Sequence, residues 1–200
     1  MNKPQNKNKA QIKREIIEFL NRTSGQADKK PGRYGCGMIH KNSLVLATTY
    51  KDVPRATPLE FFNEKITIYI FGEPGGKIAN LKRNSRICAA VYEQPLKHSK
   101  SQKSLQIFGT AELISIRSNP RLFKAKAQKW NLYSVLESFL KAQFKGKEIS
   151  KKDKKALADR FLSSINMIKI TPDHIILREY HPDFTMPKYE WKKQEKRLRP

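Results

Sequence analysis

In this 200-residue chain, the residues with types and spacing suited to chemistry cluster in Tyr69–Asn84, YIFGEPGGKIANLKRN. A strand pattern ends, a glycine pair follows, and Lys77 opens a helical pattern. Gly75 and Gly76 can take backbone angles that turn successive N–H groups the same way. The new helix adds the positive end of its dipole, and Lys77 adds a full charge. Together these favour a phosphate. A plain turn with a solvated lysine gives the same pattern, so the segment alone leaves both readings open. It is no Walker loop, since G-x-x-x-x-G-K-[ST] is absent. It is no dinucleotide fingerprint either, since no βαβ unit surrounds it. Elsewhere the chemistry is sparse. His40, His98, His174 and His181 have no partners at metal spacing, and no metal site is expected. No G-x-S-x-G motif occurs. Cys36, between Gly35 and Gly37, reads as a loop thiol. Cys36 and Cys88 can pair but make no disulfide framework. No catalytic residue is assigned.

The elements around this segment are mostly strands. Ile12, Ile16, Phe19 and Leu20 recur at helical spacing within a helix from about Asn8 to Arg22. Thr23–Gly37 reads as a loop. Ser43–Tyr50, Pro54–Phe62 and Lys65–Phe71 are extended, with turns at 51–53 and 63–65, which makes an antiparallel meander. Ile66, Ile68 and Ile70 share one face of the third. Lys77–Asn84 is a short helix and Ile87–Tyr92 a strand. Ser104–Ile116 is a long strand with Gly109 at its centre, marking a bulge or a close backbone approach. Pro120–Phe144 is helical with a break near Asn131. Ser150 caps a further helix whose Leu157, Phe161, Leu162 and Ile165 form one face. A last strand spans Met167–Arg178, with an interruption expected at Pro172. The fold class is therefore mainly β: about six antiparallel strands in a small closed barrel with peripheral helices.

The order of parts resembles the pyridoxamine 5'-phosphate oxidase-like FMN-binding split barrel family. The resembling stretches are LVLATTYKDVPRATPLEFF (Leu44–Phe62), ITIYIFGEPGGKIANLKRNSRICAAVY (Ile66–Tyr92), LQIFGTAEL (Leu105–Leu113) and MIKITPDHI (Met167–Ile175). The resemblance implies a six-stranded Greek-key split barrel, homodimeric, with FMN at the subunit interface. Thr57, Pro58 and Leu59 would follow the isoalloxazine edge and ribityl chain. Ile70 and Phe71 would sit beside the flavin, and Gly76 and Lys77 would take the phosphate. Ser104 and Gln106 would reach the flavin from the partner chain. Many members carry an Arg at the position of Thr57, which leaves Arg55, Lys82 or Arg86 to replace it. The family's C-terminal R-x-H-D-R substrate motif is not matched by Arg178–Asp183 (REYHPD), so the namesake activity is not expected. The domain plan is a basic N-terminal segment (1–37), the split barrel with a helical insertion near 118–165 (38–180), and a basic aromatic tail (181–200).

The charge needs its own account. Lys plus Arg number 41 against 18 acids, a net +23. Residues 1–14, 141–155 and 188–200 carry +14 of it, outside the segments that resemble a flavin barrel. Such runs are mostly solvated faces or tails, and no nucleic-acid-binding motif accompanies them. The charge is read as steering and solubility, and nucleic acid is not expected as the partner. The reading is an FMN-dependent oxidoreductase acting on a small molecule, with NADH or NADPH as donor. The alternatives are a flavin- or haem-binding module without turnover, or a nucleic-acid binder; FAD or a deazaflavin is an alternative to FMN. No apolar stretch is long enough to span a membrane, and a reducing cytoplasm is expected.

Overall fold

The computed structural model describes residues 7–25, 44–92, 102–133, 136 and 150–194. Cys36, His40, His98 and most of the 141–155 lysine run lie outside them. Helix α1 (Lys9–Thr23) begins as its sequence predicts. Asn8 Oδ1 accepts from Gln11 N at 3.0 Å, and Gln11 Oε1 accepts from Asn8 N at 2.9 Å, a reciprocal cap that satisfies two otherwise unpaired donors.

Strands β1 (Leu44–Tyr50) and β2 (Val53–Leu59) form a hairpin. Its turn residues, Lys51 and Asp52, both have positive φ, +51° and +57°, the two-residue turn that suits strand twist. Among the described residues two short strands raise the count from the expected six to eight. The extended run after Pro54 divides, giving β3 (Phe62–Glu64), which pairs with β4 (Thr67–Gly72). After α2 (Gly76–Leu81) come β5 (Arg86–Tyr92), β6 (Gln102–Ile114), α3 (Pro120–Lys129), α4 (Lys151–Ser164) and β7 (Asn166–Tyr180). The tail contributes β8 (Lys188–Lys192), paired to β7. The antiparallel order is β2-β1-β5-β6-β7-β4-β3. Among the described residues no ladder joins β2 to β3, so the barrel is split at that seam rather than closed. Pro54 and Pro58 suit β2 to this edge, since proline gives no N–H to a neighbour.

Strand β7 is continuous, not interrupted at Pro172. The register shifts between Phe108 and Gly109, which lie opposite His174 and Pro172. The shift absorbs the missing proline donor as a bulge. The break expected near Asn131 is present: α3 ends at Lys129 with Trp130 as its cap, Asn131 takes φ +56°, and Leu132, Tyr133 and Leu136 are helical again, while residues 137–144 lie outside the described residues. Ser150 Oγ accepts from Asp153 N at 3.1 Å and caps α4 as expected.

Two cores follow from strand alternation. Ile68 and Ile70 of β4 point into the barrel, with Ile16, Phe19 and Leu20 of α1 and Leu44, Leu46, Ile107 and Ile170. Tyr69, on the opposite face, packs with Ile114, Phe123, Trp130, Leu162 and Ile165 beneath α3 and α4, and Phe71 lies against this outer cluster. Burial of each such apolar side chain contributes about 1.5–3 kcal/mol. Helix α1 is thus part of the barrel's packing. Tyr189 and Trp191 of β8 pack against the same core, which docks the tail.

A ring of four charges ties α1 to β6 and β7. Lys7 meets Glu15 at 2.7 Å and Glu179 at 3.0 Å; Lys103 meets Glu15 at 3.1 Å and Glu179 at 2.6 Å. Burial pushes the Glu179 carboxyl upward, but Lys103 and Lys7 outweigh it and hold it below its ordinary 4.5. A lowered carboxylate stabilises the fold above its unfolded value and loses that contribution as pH falls through the folded one. Unfolding midpoints in urea should therefore fall as pH drops below about 4.5, and Glu179→Gln should flatten that dependence while lowering stability at pH 7. At Gly109 a Cβ would lie 2.3 Å from the Thr171 carbonyl oxygen, so Gly109→Ala should cost about 1–3 kcal/mol by overpacking, measured in the same titration.

Candidate functional site

The seam leaves the outer edge of β2 open, and α2 begins beside it. The register places Arg55, Thr57 and Leu59 on one face of β2, opposite the buried Thr48, Leu46 and Leu44. Asn80 of α2 fixes the helix there, its Nδ2 donating to Thr48 Oγ1 at 3.2 Å. Gly75, at φ +155° and ψ −172°, turns the chain into α2 in a conformation suited only to glycine. Gly76 is needed for a different reason: a Cβ there would lie 2.5 Å from the Arg55 guanidinium carbon. Arg55 therefore lies across the start of α2. Because α2 has only six residues, its contribution is local N–H groups and neighbouring cations more than an extended dipole.

Two cavities meet at Gly76–Lys77. One, of about 320 Å³, is lined by Pro58, Leu59, Phe71, Lys77, Phe161 and Ile165, with Glu60 and Glu73 among its remaining walls. The other, of about 510 Å³, is lined by Tyr50, Lys51, Arg55, Ala56, Gly76 and Asn80, with Val53 and Pro54. Strand β2 runs past both, and seven extended residues span roughly 20 Å. Lys77 turns toward the apolar groove, where its Nζ donates to the Glu73 carbonyl at 3.2 Å. Gly72 makes room for its stem, since a Cβ there would come within 3.0 Å of Lys77 Cε. Among the described residues neither Arg55 nor Lys51 has a carboxylate partner.

The expected site residues divide in three. Pro58, Leu59, Phe71 and Lys77 line the groove, Gly76 lines the neighbouring cavity, and Thr57 lies between them on β2. Ile70 is fully buried in the barrel core, because it alternates with Phe71 on β4; only its backbone lies beside the groove. Ser104 and Gln106 stand apart on β6. Pro58, Val45, Ala90 and Gln106 are successive register partners across four strands, so Gln106 lies about 14 Å from the groove edge at a spacing of about 4.8 Å per strand. Ser104 Oγ is 3.3 Å from the Tyr180 hydroxyl. Of the candidates for the missing cation, Arg86 is paired to Asp173 at 2.8 Å and Lys82 caps α2 in solvent; Arg55 alone reaches the cavity.

Sequence reasoning missed Phe161 and Ile165 as groove walls, and Tyr50 and Lys51 as cavity walls. Their apolar spacing and turn position were visible, but their neighbours were not. The remaining candidates are structural. His174 stacks on Phe108 at 5.6 Å and meets Glu190 at 3.1 Å. Burial pushes the Cys88 thiol up, away from the reactive thiolate. Among the described residues no group of His, Cys, Asp and Glu is arranged to hold a metal, and no helix is long and apolar enough to cross a membrane.

The family model described as pyridoxamine 5'-phosphate oxidase matches residues 38–162, more than half of the chain. The chain belongs to the pyridoxamine 5'-phosphate oxidase family. No match was found among curated proteins. Similar solved structures include general stress protein 26 from Bacillus anthracis, at 18% identity over 89% of this chain and 98% of its own, TM-score 0.44. A FAD-binding protein from Mesorhizobium loti is 22% identical over 69% and 84%, TM-score 0.46. A further solved chain, 12% identical, covers 94% and 96% with TM-score 0.52, a likeness of fold alone. The split barrel is thus the fold of a pyridoxamine 5'-phosphate oxidase family member.

In this family member the contact between Arg55 and Gly76 can be tested directly. Gly76→Ala adds a methyl where only the end of a flexible side chain must move, and Ala is the better helix former by about 1 kcal/mol. The melting temperature, followed by circular dichroism, should hold or rise.

Proposed function

We propose that this chain binds FMN along β2 and acts as an oxidoreductase on a small molecule. The observation that carries this reading is the meeting of an apolar groove and a cation-lined cavity at Gly76–Lys77 along one strand. A flat ring system joined through a polyol to a phosphate matches those surroundings in order. Leu59 and Phe71 offer apolar surface to the ring, with Pro58 at its edge and the Ile70 backbone alongside. Thr57 offers a hydroxyl to the chain. The Arg55 guanidinium, the amides at Gly76 and Lys77, and the Lys77 ammonium favour the phosphate. The Arg55 guanidinium lying over Gly76, where a Cβ would stand 2.5 Å from it, supports the fit.

When bound, the flavin supplies hydride transfer, with NADH or NADPH as the donor class. The protein's own residues orient the ring, exclude water from one side and neutralise the phosphate. The departure at Arg178–Asp183 argues against pyridoxamine 5'-phosphate as the substrate. That donor supply, together with two cysteines and no disulfide framework, favours the cytoplasm.

The outward face of the sheet supports a homodimer. Val45 is 39% exposed and Tyr92 48%, with Ala90 between them. A second copy covering this face would bring Ser104 and Gln106 to a groove that they cannot reach in their own chain.

Mixing the full chain with FMN should shift the flavin absorption bands and quench its fluorescence, and Lys77→Ala should weaken binding about tenfold. Added NADH or NADPH should bleach the bound flavin. Unchanged FMN spectra would overturn the reading; binding without bleaching would favour a flavin-binding module without turnover. Sedimentation should give a dimer.

A further inference from the structure

The hairpin joining β7 to β8 presents two apolar side chains to solvent. Phe184 is 91% exposed and Met186 61%. Phe184 also takes φ +62°, a left-handed conformation that is strained for a bulky residue and that Asn or Gly adopts more readily. Such a conformation persists only where its surroundings impose it. Here they do. Phe184 N donates to the His181 carbonyl at 3.0 Å, His181 N to the Thr185 carbonyl at 3.0 Å, and Glu179 N to the Pro187 carbonyl at 3.1 Å. Asp183 Oδ1 accepts from Thr185 N at 3.0 Å and from Thr185 Oγ1 at 2.6 Å. His181 Nε2 lies 3.7 Å from Glu179 Oε2. The polar groups of the tip are thus engaged with their own chain, and a phenyl ring and a thioether face outward. A rigid apolar pair of this kind is suited to anchor on a partner surface.

The tip cannot fill the apolar groove of its own chain. Phe71, in the groove wall, pairs with Met167 at one end of β7, whereas the tip follows Tyr180 at the other. Roughly 40 Å of strand separates them, at about 3.3 Å per residue. The tip stands instead beside a residue that a second copy would bring to the groove. Tyr180 pairs with Gln102, and its hydroxyl is 3.3 Å from Ser104 Oγ. A dimer face that carries Ser104 to the other copy's groove carries the tip with it. That groove, of about 320 Å³, offers matching apolar walls in Leu59, Phe71, Phe161 and Ile165.

We infer that the β7–β8 tip of each copy closes the groove of the other with Phe184 and Met186, and that the substrate enclosed there is a flat aromatic molecule without an acidic group. The inference rests on the flavin and dimer readings above. Phe184 offers the substrate an aromatic face, and Met186 an adaptable one. Neither side chain can pair with an anion, and Glu60 and Glu73 in the groove wall oppose one.

Two experiments on the full chain test this. Phe184→p-benzoylphenylalanine places a photoreactive ring at the tip. Irradiating a mixture of isotope-labelled and unlabelled chains should give covalent dimers that join residue 184 of one copy to the peptide carrying Leu59 or Phe71 of the other. Crosslinks within one chain, dimers joined elsewhere, or no crosslink would overturn the inference; a monomer in sedimentation would remove the dimer reading with it. Phe184→Asn suits the left-handed turn and should leave the circular dichroism spectrum unchanged. In calorimetry of the FMN-saturated protein, coumarin should bind about tenfold more tightly than pyridoxine 5'-phosphate, and about tenfold more weakly to Phe184→Asn than to the unaltered chain. Absence of coumarin binding, equal or tighter binding of the phosphate, or no effect of the substitution would count against the substrate class. If FMN does not bind, the flavin reading fails, and the crosslink still decides whether the tip closes the groove.

Discussion

The site depends on one constraint, the open edge of β2. A strand in the middle of a sheet has its backbone groups committed on both sides. Here the hairpin with β1 satisfies one side, and the split between β2 and β3 leaves the other clear of ladder partners among the described residues. Two prolines suit the strand to that position. Helix α2 then lies against the same strand, held by Asn80 on Thr48. Because the strand is extended, it carries chemically different surroundings in linear order: a cation at Arg55, a hydroxyl at Thr57, apolar surface at Leu59.

Strand β4 supplies the second wall through alternation. Its inward residues belong to the barrel core, while Tyr69 and Phe71 face the helical insertion. Trp130 stacks on Phe62 with ring centres 5.0 Å apart and meets Tyr69 at a tilt of 47°, ring centres 5.1 Å apart. Lys126 and Lys129 both pair with Glu64, fastening α3 to β3. Burial, then the charge of Glu64, pushes the Tyr69 hydroxyl up to about 12, so that the ring stays neutral in this packed layer. The groove therefore has one wall from the barrel and one from the insertion, and neither unit forms it alone.

Net charge is a poor guide to this site. Much of the +23 lies in tails and a run far along the sequence, and many described lysines are paired. Lys7 and Lys103 are committed to Glu15 and Glu179, Lys126 and Lys129 to Glu64, and Lys169 to Glu112. Among the described residues Arg55 and Lys51 stand out because they line a cavity and have no carboxylate partner. An unpaired cation beside a concave surface retains its field for a ligand, whereas a paired one has spent it locally.

Much of the fold could be read along the chain because it rests on local rules. Period-2 alternation marked the strands, 3.6-residue spacing and Asn8 or Ser150 marked the helices, and Gly109 announced a close backbone approach. The strand–Gly–Gly–Lys–helix unit is equally local, and so Gly76 and Lys77 were legible as a phosphate-favouring pair. Several features were not legible. The tail's β8 and the short β3 depend on partners distant in sequence. Ile70 and Phe71 are adjacent in the chain, yet the pleat sends one to the core and the other to the groove. Choosing Arg55 over Lys82 and Arg86 required knowing that Gly76 lies under its guanidinium and that Asp173 already holds Arg86. The sequence by itself determined which residues stand at the strand–Gly–Gly–Lys–helix turn and which strands could form. The tertiary structure decided where the sheet stays open, because only the complete strand order shows which edge is left without a partner.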